Sequence, residues 1–128
     1  MAKEQNTILH RWLEEVWNNG RAELIDEMIA PNAIAHGLED PNGNEVRGPE
    51  EFKKFHYSFR SAFPDIHISI EETVSEGDLV VGYCKLTATH TGTGFGMEST
   101  GKPVAPEGML MFGYGMGRWR RLGTVLIF

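Results

Sequence analysis

Apolar residues recur at Leu9, Trp12, Leu13, Val16 and Trp17, a spacing of three and four that predicts an amphipathic helix. Asn6 or Thr7 suits its start and Gly20 its end. A second, shorter helix is expected to carry Leu24, Ile25, Met28 and Ile29 on one face, with Pro31 stopping it. A short extended piece from Ala33 to His36 and a turn-rich loop, Asp40-Pro41-Asn42-Gly43-Asn44, come next. Gly48-Pro49-Glu50-Glu51 then opens a third helix, because proline is preset for a first turn and acids favour the positive end of the helix dipole. That helix aligns Phe52, Phe55, Phe59 and Phe63 before Pro64 ends it.

The period then changes from helical to two. Ile66, Ile68 and Ile70 alternate with His67, Ser69 and Glu71, as in a half-buried strand. Glu76-Gly77-Asp78 is a tight hairpin into a strand from Leu79 to Thr91. A glycine- and threonine-rich loop leads to a strand from Lys102 to Phe112, and an apolar piece, Gly123 to Phe128, follows. Helices followed by antiparallel strands give an α+β fold, with the helices on one face of a curved sheet. No repeat or linker interrupts residues 1–128, which read as a single domain.

Composition narrows the function classes. A chain of 128 residues with 41% hydrophobic and 23% charged residues is an ordinary globular domain, large enough for a modest cavity. The net charge of −6 argues against nucleic-acid binding. Lys53, Lys54 and the Arg118-Trp119-Arg120-Arg121 cluster read as solvated surface. The amino terminus lacks the apolar core of a secretory signal, and no apolar run is long enough for a membrane span, so a cytoplasmic protein without membrane contact is expected. Cys84 is the one cysteine, placed mid-strand among Val80, Val81 and Leu86 as a core thiol, and zinc spacing is absent.

Several side chains could carry chemistry. His56 shares the helix face of the phenylalanines, where it either satisfies a backbone group in the core or projects into a cavity. Asp65 follows Phe63-Pro64 as either a turn residue or a carboxylate at the strand entry. Glu107 has the strand parity of Met109 and Met111. Facing inward, its pKa would rise by desolvation, which suits a general acid or base; facing outward, it would flank methionines at a subunit contact. His10 falls on the polar side of the first helix. Gly92-Thr93-Gly94-Phe95-Gly96 precedes a strand rather than a helix, so it is not a nucleotide loop.

The punctuating motifs Arg47-Gly48-Pro49-Glu50, Ala62-Phe63-Pro64-Asp65, Ser75-Glu76-Gly77-Asp78, Thr87-Ala88-Thr89-His90-Thr91-Gly92 and Ser99-Thr100-Gly101-Lys102-Pro103-Val104 form an ordered series. In order and spacing the series resembles the SnoaL-like polyketide cyclases of the nuclear transport factor 2-like fold, over about residues 8 to 112. The resemblance implies a cone-like sheet against three amino-terminal helices, enclosing an apolar pocket, and a homodimer through the outer sheet face. It implies cofactor-free and metal-free acid/base chemistry on a small apolar or polycyclic carbonyl compound, such as ring closure by intramolecular aldol condensation. The expected working groups are His56, Asp65, Glu107 and His36, with Glu107 or Asp65 as base and His36 at the pocket mouth. Trp12, Trp17, Phe55, Phe59, Tyr83, His90 and Met109 would then contact substrate.

Two other readings stand beside this one. Leu38-Glu39-Asp40-Pro41-Asn42-Gly43-Asn44-Glu45-Val46-Arg47-Gly48 looks like a ketosteroid-isomerase segment with Asp40 as the proton shuttle, although Trp12 and Trp17 stand where that family needs a tyrosine, and a turn built by Asp-Pro-Asn-Gly explains the segment without catalysis. A non-catalytic small-molecule-binding module of the same fold is the other, and it predicts a cavity that is apolar throughout. The carboxyl end departs from the family pattern from Gly113 on. Codons for residues 113–128 can be chosen so that a shifted frame reads Arg-Val-Arg-Asp-Gly-Lys-Val-Ala-Glu-Ala-Trp-Asp-Cys-Phe-Asp-Phe, a family-like ending. The expectation is that a frameshift, in the gene or in its determination, replaced the family's last strand, removing any carboxylate carried there and leaving Trp119 to Phe128 as an edge strand.

Overall fold

The structure is a computed structural model that describes residues 2–39, 43–92, 99–115 and 117–127. The periodicity of the first helix is realised in two windings. Helix α1 (Ala2–Arg11) runs directly into a π-wound segment, Trp12–Asn18, whose end is marked by the Asn19 N–H to Glu14 carbonyl bond at 2.9 Å. Leu9, Trp12, Leu13, Val16 and Trp17 are all buried, so the wider winding keeps the apolar stripe on one side.

A 3₁₀ turn (Ala22–Leu24) and helix α2 (Ile25–Met28) follow, and strand β1 (Ile29–Glu39) starts earlier than the apolar spacing suggested. Ile29 is already extended, and Pro31 lies inside the strand instead of ending a helix. The strand tolerates this proline because its pairing with β7 is irregular between Ile29 and Ile34, and its pairing with β2 (Glu45–Arg47) begins only at Ile34. Helix α3 (Gly48–Ala62) opens at the expected proline, and the Glu51 carboxylate accepts a hydrogen bond from the Arg47 N–H at 2.9 Å.

Strands β3 (His67–Glu76) and β4 (Leu79–Thr89) form the expected hairpin around Gly77-Asp78. The next expected strand divides at Ala105-Pro106 into β5 (Pro103–Val104) and β6 (Glu107–Gly115), and β7 spans Arg118–Ile127. The sheet order is β2-β1-β7-β6-β4-β3, with β5 paired to β4. Every pairing is antiparallel except β1 with β7, so the sheet is mixed rather than wholly antiparallel. β7 is not an edge strand. It lies between β1 and β6, and Trp119 within it is fully buried against Phe112 and Tyr114. The cluster around it divides accordingly, with Arg118, Arg120 and Arg121 exposed and the indole in the core.

Candidate ligand cavity

The inward faces of the strands and the aromatic faces of the helices do not meet completely. Between them lies an apolar hollow with an open mouth. Trp12, Leu13 and Trp17 from the π-wound segment and Phe52, Phe55 and Phe59 from α3 form its helical side. The sheet contributes Leu38, Ile68, Cys84, Leu86, Gly108, Leu110, Phe112, Leu122 and Thr124, and Ile66 just before β3 completes the lining. The aromatic wall is interlocked: Trp17 meets Phe52, Phe55 and Phe59 edge-on, with ring centroids 5.6–6.3 Å apart. Burial pushes the Cys84 thiol up to about 11, so it stays protonated and inert.

None of the expected acid/base groups lines this cavity. His56 is 2% exposed, but it turns away from the hollow and donates its Nε2 proton to the Val16 carbonyl at 2.7 Å. One turn on, Arg60 donates to the Trp17 carbonyl at 2.5 Å. These two side chains of α3 thereby satisfy carbonyls that the π-wound segment leaves free at its end. Burial lowers the His56 pKa, against the Val16 carbonyl, which raises it, while the Arg60 charge lowers it further. The neutral ring also packs on Trp17, centroids 4.8 Å apart. The core alternative for His56 is the one its geometry matches.

The other three candidates lie elsewhere. His36 is an exposed strand residue, its side chain 55% accessible, paired through Nδ1 with Glu45 at 2.7 Å rather than placed at a pocket mouth. Asp65 is exposed at the turn before β3 and accepts the Thr89 N–H at 2.7 Å, which holds its carboxyl below the usual range. It borders only a shallow hollow with Thr87, Thr89, Pro103 and Ala105. Glu107 lies on the outward face of β6 and accepts a hydrogen bond from the Tyr83 hydroxyl. That bond raises the Tyr83 pKa, so the phenol stays protonated. Met109 is outward as well, 45% exposed. His90 is buried by Phe63, centroids 5.2 Å apart, with Thr100 Oγ1 3.4 Å from Nδ1, and it does not line the cavity. His10 is exposed, as its helix position implied. Asp40 lies outside the described residues. Among the described residues no group of three His, Cys, Asp or Glu side chains is arranged to hold a metal ion.

Of the expected ligand contacts, Trp12, Trp17, Phe55 and Phe59 reach the cavity. Sequence reasoning did not single out Leu110, Phe112, Leu122 or Thr124. Their signal is strand parity: Leu110 pairs with Thr124 and Phe112 with Leu122 in the ladder, so all four point to the same face.

The family model for SnoaL-like polyketide cyclases matches residues 7–120. The chain belongs to this family. Its cone is the nuclear transport factor 2-like fold. A protein from Acidithiobacillus ferrooxidans assigned as a polyketide cyclase is 32% identical, with 98% of this chain and 87% of that one covered and a TM-score of 0.74. A protein from Jannaschia sp. CCS1 assigned as a SnoaL-like polyketide cyclase superposes with a TM-score of 0.84 at 22% identity, covering 98% of this chain and 86% of that one. AclR of Streptomyces galilaeus, assigned as a hydroxylase, reaches a TM-score of 0.81 at 21% identity over 99% and 81% of the two chains. Among proteins of curated function, none matches. No helix among the described residues is long and apolar enough to cross a membrane.

The family match ends at residue 120, within β7, and the rest of that strand carries the cavity residues Leu122 and Thr124. In the shifted frame, the aspartate of the Trp-Asp pair straddles the codons of Gly123 and Thr124. If the frame has moved, the gene reads Leu122 from CTT and Gly123 from GGG, since only these give that tryptophan and aspartate. The nucleotide sequence checks this directly, and any other codon at either position removes the frameshift.

Proposed function

We propose that this chain binds one small, flat, apolar molecule in the cavity and performs no acid/base chemistry there. The carrying observation is the lining, which is apolar and aromatic save for the Thr124 hydroxyl, the Cys84 thiol and two indole N–H groups. An ionised group in such a wall would be costly, and His36, His56, Asp65 and Glu107 each find a hydrogen-bond partner outside the cavity. Titration with the neutral dye N-phenyl-1-naphthylamine tests the reading. A saturable, blue-shifted emission rise with one site per chain and micromolar affinity is expected; a linear, unsaturable signal contradicts it.

A second reading, cofactor-free cyclase chemistry on a carbonyl compound, is supported by the end of the family match within β7. A gene in the shifted frame would encode a carboxylate at the cavity wall, where proton abstraction next to a carbonyl would be feasible. The codon test above separates the two readings.

The outer face of the sheet supports a homodimer. Tyr83, Met109 and Val125 form one cross-strand row there, and Val74, Val81 and Met111 another. Met111 is 49% exposed and Val125 61%, an apolar surface of the kind that marks an interface. Light scattering of the wild type is expected to give twice the chain mass, and Met111→Lys the mass of one chain, because a desolvated ammonium there would oppose association. A wild-type monomer, or an unaffected variant, removes the dimer.

A further inference from the structure

We infer that Thr124 selects the ligand, its hydroxyl donating a hydrogen bond to a carbonyl oxygen on a flat aromatic molecule held in the cavity. This inference rests on the cavity-binding reading and adds to it the group that recognises polarity. Thr124 supplies the one hydroxyl among the described lining residues. Its direction is fixed by the sheet. Leu110 is its ladder partner and lines the same cavity, while Val125 and Met109, one residue along in each strand, pair on the outward face. On the other side Gly37 of β1 (φ 84°) comes so close that a Cβ there would lie 2.0 Å from the Thr124 carbonyl oxygen. That approach admits only glycine and ties the backbone of residue 124 in place from both neighbours. On a backbone held in this way a β-branched threonine has few χ1 rotamers, so its hydroxyl loses little freedom on binding a ligand oxygen.

The surrounding wall makes the bond selective. A carbonyl entering an apolar cavity loses its hydration, and without a donor that loss opposes binding. Cys84 is a weak donor, which leaves the Thr124 hydroxyl and the Trp12 and Trp17 indoles as competitors for the oxygen. The hydroxyl donates to a carbonyl yet asks nothing of a hydrocarbon, so shape decides entry and residue 124 decides the preference. Thr124 also lies in β7 beyond the span that the family model matches.

A matched pair of probes tests this. The ketone 2-acetylnaphthalene and its alkene isostere 2-isopropenylnaphthalene have nearly the same shape, and quenching of tryptophan fluorescence reports their affinities. Thr124→Val is expected to weaken the ketone about tenfold and leave the alkene within about twofold. Thr124→Ser, which keeps the hydroxyl, should retain the wild-type ratio between the two probes. Equal weakening of both probes by Thr124→Val would mean that residue 124 supplies shape alone, and would overturn the inference. An unchanged ketone affinity would assign the oxygen to an indole and overturn it as well. Failure of the wild type to bind even the alkene would instead remove the cavity-binding reading, and this inference with it.

Discussion

Leu110→Trp is expected to weaken binding of N-phenyl-1-naphthylamine at least a hundredfold while the chain remains folded. Leu110 sits on β6, flanked by β4 and β7, with its side chain in the cavity wall. An indole has roughly the volume of the naphthalene half of the dye, so it would occupy the space the ligand needs. The cost to stability should be about 1–3 kcal/mol, as for other enlarged core residues, and less if the ring fills existing space. The fluorescence titration reads the affinity, and circular dichroism with a melting curve shows that the fold persists. Unchanged dye binding would place the dye elsewhere, with the outward methionine face the obvious alternative, and the cavity would lose its assigned role.

Replacement of His56 should produce the largest loss of stability. His56→Leu leaves the buried Val16 carbonyl without its donor, at a cost of about 1–3 kcal/mol, and Trp17 loses part of its packing. A fall in Tm of about 10 °C is therefore expected for a domain of this size. His56→Gln retains an N–H that can reach the carbonyl and should recover part of the loss.

The pH dependence carries the same signature. Burial holds the native His56 pKa below its usual value, whereas the unfolded chain titrates near 6.5. As pH falls through that value the unfolded chain takes up a proton that the native ring refuses, so stability falls with pH. The contribution is present above about pH 6.5 and is lost as pH approaches the depressed native pKa, with a slope of up to about 1.4 kcal/mol per pH unit. Urea unfolding between pH 7 and pH 5 should show a shallower slope for His56→Gln than for the wild type. Equal slopes would mean that His56 does not hold the neutral, buried state described here.

Both variants bear on one structural device. The π-wound segment supplies Trp12, Leu13 and Trp17 to the cavity, and its terminal carbonyls are closed by His56 and Arg60 from the facing helix. Such windings recur at functional sites because they shift a helix face without ending the helix. The aromatic wall and its clamp come from the same two elements. A ligand-binding defect in His56→Leu would thus follow from displaced tryptophans rather than lost proton transfer.

Local pattern fixed a great deal of this protein. The helical stripe from Leu9 to Trp17, the proline-started third helix, the two-residue hairpin and the α+β order all follow from spacing and turn chemistry, which act over a few residues. The family could be read from the order of its punctuating motifs for the same reason. What spacing cannot carry is the choice between two faces. Glu107-Met109-Met111 and Gly108-Leu110-Phe112 are both suitable inner rows of one strand, and only the layer packed against the sheet turns the second row inward. His56 has the same ambiguity on its helix, settled when the carbonyls of another helix end came within reach. The place of β7 beside β1, in parallel, joins residues about ninety positions apart, a distance at which no local preference acts. Tertiary packing thus decided which side chains meet the hollow, because burial is a property of the assembled layers and not of any segment alone.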